Sequence, residues 1–156
     1  MSRTGGHREL IKDQFTRQAM PFSTAAAITD ENALRMIIAA ASPRSEDMVL
    51  DVACGGGIIV CAFGPFVRHA AGIDMTPAML ERARALAAEK DVTNVAWHEG
   101  DALALPFPDR AFNIVVTRFS FHHMLDPAAM LREMARVSAP SGRVVVVDLY
   151  ASEDPA

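Results

Sequence analysis

Five short apolar runs rich in β-branched residues, separated by helical or loop sequence, constrain this chain more than any other feature. They are "MVLDVA" (Met48–Ala53), "HAAGID" (His69–Asp74), "NVAWHEG" (Asn94–Gly100), "FNIVVT" (Phe112–Thr117) and "RVVVVDL" (Arg143–Leu149). Near-continuous apolar strands that alternate with helices predict a parallel sheet covered on both faces. Between them, Pro77–Glu89 reads as a helix whose first position suits Pro77 and whose free N–H groups Thr76 can cap. Pro127–Val137 repeats the pattern after Asp126. The interval "IIVCAFGPFV" is broken by Gly64-Pro65, so its helix is expected to be brief. Two further helices, about His7–Gln18 and Asp30–Ala41, are expected ahead of this core, joined by "AMPFSTAAAIT".

The chain has 156 residues, the size of one domain able to bury a real core. With 51% hydrophobic and 22% charged residues it is an ordinary globular composition, and its net charge of −4 offers no basic stripe for nucleic acid. Cys54 and Cys61 lack C-x-x-C spacing, which argues against a disulfide framework or a metal site and for a reducing cytoplasm. The N-terminus is polar and mixed in charge, unlike a signal peptide, and no apolar run reaches membrane-spanning length.

The first strand runs into "VLDVACGGGIIV" (Val49–Val60), a glycine-rich turn that leads to a helix. Such turns let a ligand approach exposed N–H groups at the helix start. A nicotinamide-dinucleotide G-x-G-x-x-G would need Gly55, Gly57 and a glycine at position 60, where this chain has Val60. The spacing is instead acid-x-small-x-Gly-x-Gly, from Asp51 through Ala53 and Gly55 to Gly57. A tight turn without a ligand is the plain alternative.

Two more acids follow in step. Asp74 ends the second strand, where a carboxylate can accept two hydrogen bonds from a ribose diol. Asp101, after the third strand, can accept from an exocyclic amine while Leu103 or Ala102 supplies a backbone N–H and an apolar ceiling. All three acids fall on the carboxyl edge of one sheet, the edge that binds ligands in open α/β sheets. Read singly, Asp74 is also an ordinary helix cap or solvated loop acid.

Taken together, "VLDVACGGG", "GIDMTPAMLERAR", "EGDALALPFPDRAFNIVVTRFSFHHMLDP" and "LREMARVSAPSGRVVVVDL" resemble the class I S-adenosylmethionine-dependent methyltransferases. The subgroup they are most similar to is the small-molecule enzymes akin to the ubiquinone and menaquinone C-methyltransferases. The resemblance covers about Met48–Tyr150 and implies an α/β, Rossmann-like, mostly parallel sheet of about five strands in the order 3-2-1-4-5, with helices on both faces. It implies a single domain with a helical cap over residues 1–45, a cofactor core over 46–150 and a tail over 151–156. The family normally continues past the fifth strand with a helix and two more strands. Only "YASEDPA" follows Leu149, so the fifth strand is expected to be an exposed edge that a second copy of the chain could cover.

The resemblance assigns the methionine end of S-adenosylmethionine to Asp51, Ala53, Cys54, Gly55 and Gly57. It assigns the ribose to Asp74, the adenine face to Met75 and Met79, the adenine edge to Asp101 and Ala102, and the amino-acid end to backbone groups of Arg118 and Phe119. Ala53 replaces the usual first glycine, and its methyl is expected to fit at negative dihedrals. Cys54 is expected to be a filler and not a nucleophile. Met75 and Met79 read equally as core residues at helical spacing. The sulfonium methyl is already electrophilic, so the protein has to align a nucleophile behind it and exclude water; a base is needed only when that nucleophile must lose a proton. His122 and His123, after the fourth strand, are the candidate catalytic bases. Loop-fixing hydrogen bonds, or cofactor contact without proton transfer, are the alternative for both. His7, His69 and His98 have no chemical company. Phe15 and Phe22 could exclude water, and Arg17 could meet an anion, or the segment is a plain packing helix. Three functions stand: methyl transfer to a small molecule, a cofactor-binding or interaction module without catalysis, and, weakened by Val60, a nicotinamide-dependent dehydrogenase.

Overall fold

The computed structural model describes residues 30–148. The expected first helix, the linker after it, Phe15, Arg17, Phe22 and the tail lie outside the described residues. Helix α1 (Glu31–Ala41) starts where Asp30 accepts a bond from the Asn32 N–H (2.9 Å) and stops at Ser42, whose φ is 50°. Then follow β1 (Met48–Val52), α2 (Ile58–Phe63), β2 (His69–Asp74), α3 (Pro77–Glu89), β3 (Val95–Glu99), β4 (Phe112–Arg118), α4 (Pro127–Val137) and β5 (Ser138–Val147). One short 3₁₀ turn, Gly64–Phe66, ends α2, and a second, Phe121–His123, follows β4.

The sheet has the expected order, β3-β2-β1-β4-β5, and every neighbouring pair is parallel. Alternate residues of β1 serve two cores. Val49 joins Ile37, Val60, Phe63 and Leu80 from α1, α2 and α3 on one face. Leu50 and Val52 join Leu105, Met130 and Met134 on the other. Both faces of the central strands are therefore covered, which is why they read as unbroken apolar runs. Each fully buried aliphatic side chain of this kind contributes roughly 1.5–3 kcal/mol. The chain reverses its winding between β1 and β4, and at such a switch point the carboxyl ends of the strands are where open α/β sheets bind ligands. Among the described residues, no helix is long and apolar enough to cross a membrane.

Two local expectations change. Thr76 occupies the N-cap of α3 without a side-chain capping bond; its backbone N–H donates to Asp74 Oδ1 instead (2.9 Å). At α4, Asp126 does cap, accepting from the Ala129 N–H (2.9 Å). β5 begins five residues earlier than Arg143, because Ser138 already pairs with Phe112 before the register jumps to Ile114 and Arg143. Gly142 sits in that bulge, where a Cβ would come within 2.8 Å of the Asn113 carbonyl oxygen. Val144 and Val146 on β5 are exposed.

Candidate functional site

The glycine turn is a strained loop held from outside. Ala53 has φ 59°, contrary to the negative dihedral expected for it. An L residue in this left-handed region costs about 1–2 kcal/mol, so neighbouring bonds must hold it there. They do: the Cys54 N–H donates to the Ile73 carbonyl (2.9 Å) and the Gly55 N–H to Asp74 Oδ2 (2.8 Å). The group lying closest to Gly57 is the protein itself. A Cβ there would stand 2.6 Å from Trp97 and 2.7 Å from the Ala83 Cβ, and φ is 81°. Gly57→Ala is therefore expected to cost roughly 2–4 kcal/mol, from the left-handed backbone and overpacking together, read as a fall in the denaturant midpoint. Trp97 was not singled out from the sequence. A lone Trp on the strand beside two glycine-bearing segments was the signal.

Asp51 is buried near the end of β1, and its Oδ1 has no hydrogen-bond partner among the described residues. Burial pushes its carboxyl well above the ordinary range; Arg118 pulls it down and Asp74 adds to the rise. Asp74, at the end of β2, spans two backbone amides, Gly55 and Thr76. Burial raises its carboxyl as well, against the lowering effect of those amides. Burial thus raises both carboxyls, with the Arg118 guanidinium acting on Asp51. Burial also lowers the Arg118 guanidinium, with Asp51 opposing the shift, and Arg118 lies 5.1 Å from the Phe119 ring centroid. Cys54 is buried, and burial together with Asp74 and Asp51 pushes its thiol up. That suppresses thiolate chemistry and leaves it to pack against Gly72.

Asp101 closes its own loop, accepting from the Leu103 N–H (2.9 Å), so of the two candidate amide donors Leu103 is already engaged. Ala102 is buried in the second core. Met79 is 1% exposed and belongs to the core, whereas Met75 keeps part of its surface. Phe119 has φ 57°, a rare backbone for a bulky residue, and its N–H donates to the Val147 carbonyl (2.8 Å). That N–H is therefore engaged in tying β4 to β5. Thr117 donates to the Val52 carbonyl (2.7 Å) and its hydroxyl bonds that of Ser120, which fixes the start of the histidine loop.

In that loop His122 is bound twice by Asp148, a residue not singled out from the sequence. Asp148 Oδ1 lies 2.7 Å from His122 Nδ1, and Oδ2 accepts the His122 backbone N–H (3.1 Å). A carboxylate at Nδ1 keeps the proton on that nitrogen and leaves the Nε2 lone pair available as a base. The His123 ring lies tilted against it, centroids 3.9 Å apart. Asp148 immediately follows β5 as His122 follows β4, so the parallel pairing brings them together across 26 residues of sequence. His98 packs edge-on against Phe107. Among the described residues, no cluster of three or more His, Cys, Asp or Glu could hold a metal ion.

The methyltransferase domain family profile matches residues 50–146. An uncharacterized methyltransferase of Bacillus subtilis (strain 168), YcgJ, is 39% identical over 141 residues, covering 90% of this chain and 56% of its own. The crystal structure of the YcgJ protein superimposes with a TM-score of 0.74 at 43% identity, covering 80% of this chain and 53% of that one. A demethylmenaquinone methyltransferase of Deinococcus radiodurans is 38% identical over 117 residues, covering 73% of this chain and 48% of its own. The chain thus spans about half the length of these relatives.

Proposed function

This chain belongs to the methyltransferase-domain family, the class I S-adenosylmethionine-dependent methyltransferases, and from that membership we propose that it transfers the cofactor's methyl group to a small-molecule acceptor. The observation that carries the reading is the Asp51–Asp74 pair at the carboxyl ends of β1 and β2, one oxygen of Asp51 being buried without a partner. These residues fit a ligand carrying an ammonium, which can donate to the buried Asp51 oxygen that has no partner among the described residues. When bound, the cofactor supplies an already electrophilic methyl group, so the transfer is an in-line displacement.

The chain's own residues do the rest. Asp51 and the turn through Gly57 receive the methionine end, and Asp74, which also holds Gly55, accepts from the ribose hydroxyls. Met75 and the Asp101–Ala102 segment bound the adenine. His122, oriented by Asp148, takes the proton from an acceptor hydroxyl or acidic carbon as the new bond forms, and His123 flanks it. The name of the Deinococcus relative, a demethylmenaquinone methyltransferase, favours an aromatic small-molecule acceptor.

Calorimetric titration with S-adenosylmethionine and S-adenosylhomocysteine, with NAD as control, tests the reading. Saturable binding of the first two alone is expected. A cation favours ionised Asp51, whose affinity for a proton is raised in the free protein. Binding therefore releases a proton, and affinity for S-adenosylmethionine is expected to rise with pH above the ordinary carboxylate range. Binding of NAD but not the other two would overturn the assignment.

A further inference from the structure

The stretch from Gly100 to Ala111 connects β3 to β4 without a helix or strand of its own, yet it carries Asp101 and Ala102. Its inner end is closed by Asp101, which accepts from the Leu103 N–H through its side chain (2.9 Å) and from the Ala104 N–H through its carbonyl (3.1 Å). Its outer half is held from α4. The Arg136 guanidinium donates to the carbonyls of Leu105 (2.9 Å) and Phe107 (2.9 Å) and to Asp109 Oδ1 (2.8 Å). Glu133 accepts the Leu105 N–H (2.8 Å) and braces the same guanidinium at 2.8 and 2.9 Å. The Arg136 carbonyl accepts the Arg110 N–H (2.9 Å). Both backbone groups of Leu105 are thus committed to one charged pair, four residues from Asp101.

Resting on the reading of Asp101 and Ala102 as the adenine edge, we propose that Arg136 and Glu133 are positioning residues for adenine recognition, fixing from α4 the backbone that presents those two residues to the base. The guanidinium bridges three acceptors on the loop at once, in a planar fork that an ammonium cannot reproduce. The Arg136 bond, with the Leu105 amide adding to it, holds the Glu133 carboxyl below its usual range, so the pair stays charged through neutral pH. The buried side chains of Ala102 and Leu105, packed with Met130 and Met134, supply the other hold on the loop. They fix its depth; the Arg136 fork fixes its path.

The test uses the full chain and two ligands, S-adenosylhomocysteine and its deaminated form, S-inosylhomocysteine, in which a carbonyl replaces the exocyclic amine that Asp101 would accept from. Wild type is expected to prefer the amine by on the order of 10-fold or more, since a site built for a hydrogen bond rejects the analogue lacking it. Arg136→Ala and Arg136→Lys are expected to compress that ratio to within about threefold, as Asp101→Asn does, because a mispositioned acceptor no longer distinguishes the bases. Arg132→Ala, an exposed change on the same helix, is expected to keep it. An unchanged ratio in an Arg136 variant that melts cooperatively overturns the positioning role. If Arg136→Ala does not fold, Asp109→Ala removes one limb of the fork and is read the same way. Wild-type binding without preference removes the adenine edge and this role with it, leaving cofactor binding intact; binding of neither ligand removes the cofactor reading itself.

Discussion

His122→Ala is expected to slow methyl transfer by on the order of 10²–10⁴-fold, the usual contribution of a positioned base, while leaving affinity for S-adenosylhomocysteine within about threefold. The reason lies in the Asp148 contacts. Both the backbone bond to Asp148 Oδ2 and the ring bond at 2.7 Å tie the loop to the end of β5, and the ring bond in addition keeps the proton on Nδ1 and the lone pair on Nε2. Asp148→Asn offers an amide where the carboxylate stood, and an amide N–H facing Nδ1 drives the proton to Nε2, where it blocks proton uptake. This variant is expected to lose nearly as much activity, and the double variant little more than the worse single one, because the two residues act as a unit. Turnover is read as S-adenosylhomocysteine release with a panel of small phenols and quinols. Nitrogen shifts of the imidazole report the tautomer without any acceptor. Full turnover in His122→Ala removes the base. A selective loss of affinity moves His122 into the binding shell.

The elements were legible where local chemistry and burial point the same way. β2, α3 and α4 begin and end where the apolar runs and the Pro-initiated helices predicted. The strand order rested on the family resemblance. The misses share a physical cause, contacts between residues distant in sequence. Ala53 adopts φ 59° because bonds from the following residues to Ile73 and Asp74 hold it, and a local rule for alanine gives the opposite sign. Gly57 looked like a residue kept small for a ligand, but Trp97, forty residues on, fills that space. Asp148 stands in "VVVVDL", 26 residues from His122. Only the parallel pairing of β4 with β5 brings it to His122. The candidate site was legible as a set of acids at strand ends; their partners were not. Arg136 in "LREMARV" has a legible i,i+3 partner in Glu133, but its bonds to Asp109 and to the Leu105 and Phe107 carbonyls join residues 27 to 31 apart, which no local pattern announces.

Asp74→Ala is expected to lower affinity for S-adenosylmethionine by on the order of 100-fold, two hydrogen bonds to an ionised acceptor being worth about 1.5–3 kcal/mol each. The fold is affected as well, because the same carboxylate accepts the amides of Gly55 and Thr76 and so links the glycine turn to the start of α3. Alanine leaves both partly buried N–H groups without that acceptor, at a cost of roughly 1–3 kcal/mol each unless water replaces it. Against this, removing a desolvated carboxyl with a raised proton affinity relieves a penalty present at neutral pH. A raised carboxyl is least costly when protonated, so wild-type stability from this group falls as pH rises above the ordinary carboxylate range. The variant should therefore be more destabilised in acid than near neutrality. Asp74→Asn separates the two roles: its single carbonyl oxygen keeps one amide bond while its amide cannot accept from a ribose hydroxyl. It is expected to melt closer to wild type than alanine does, yet to bind the cofactor almost as poorly. If asparagine instead restored affinity along with stability, Asp74 would be a brace for the turn and the ribose would have to find its acceptor elsewhere.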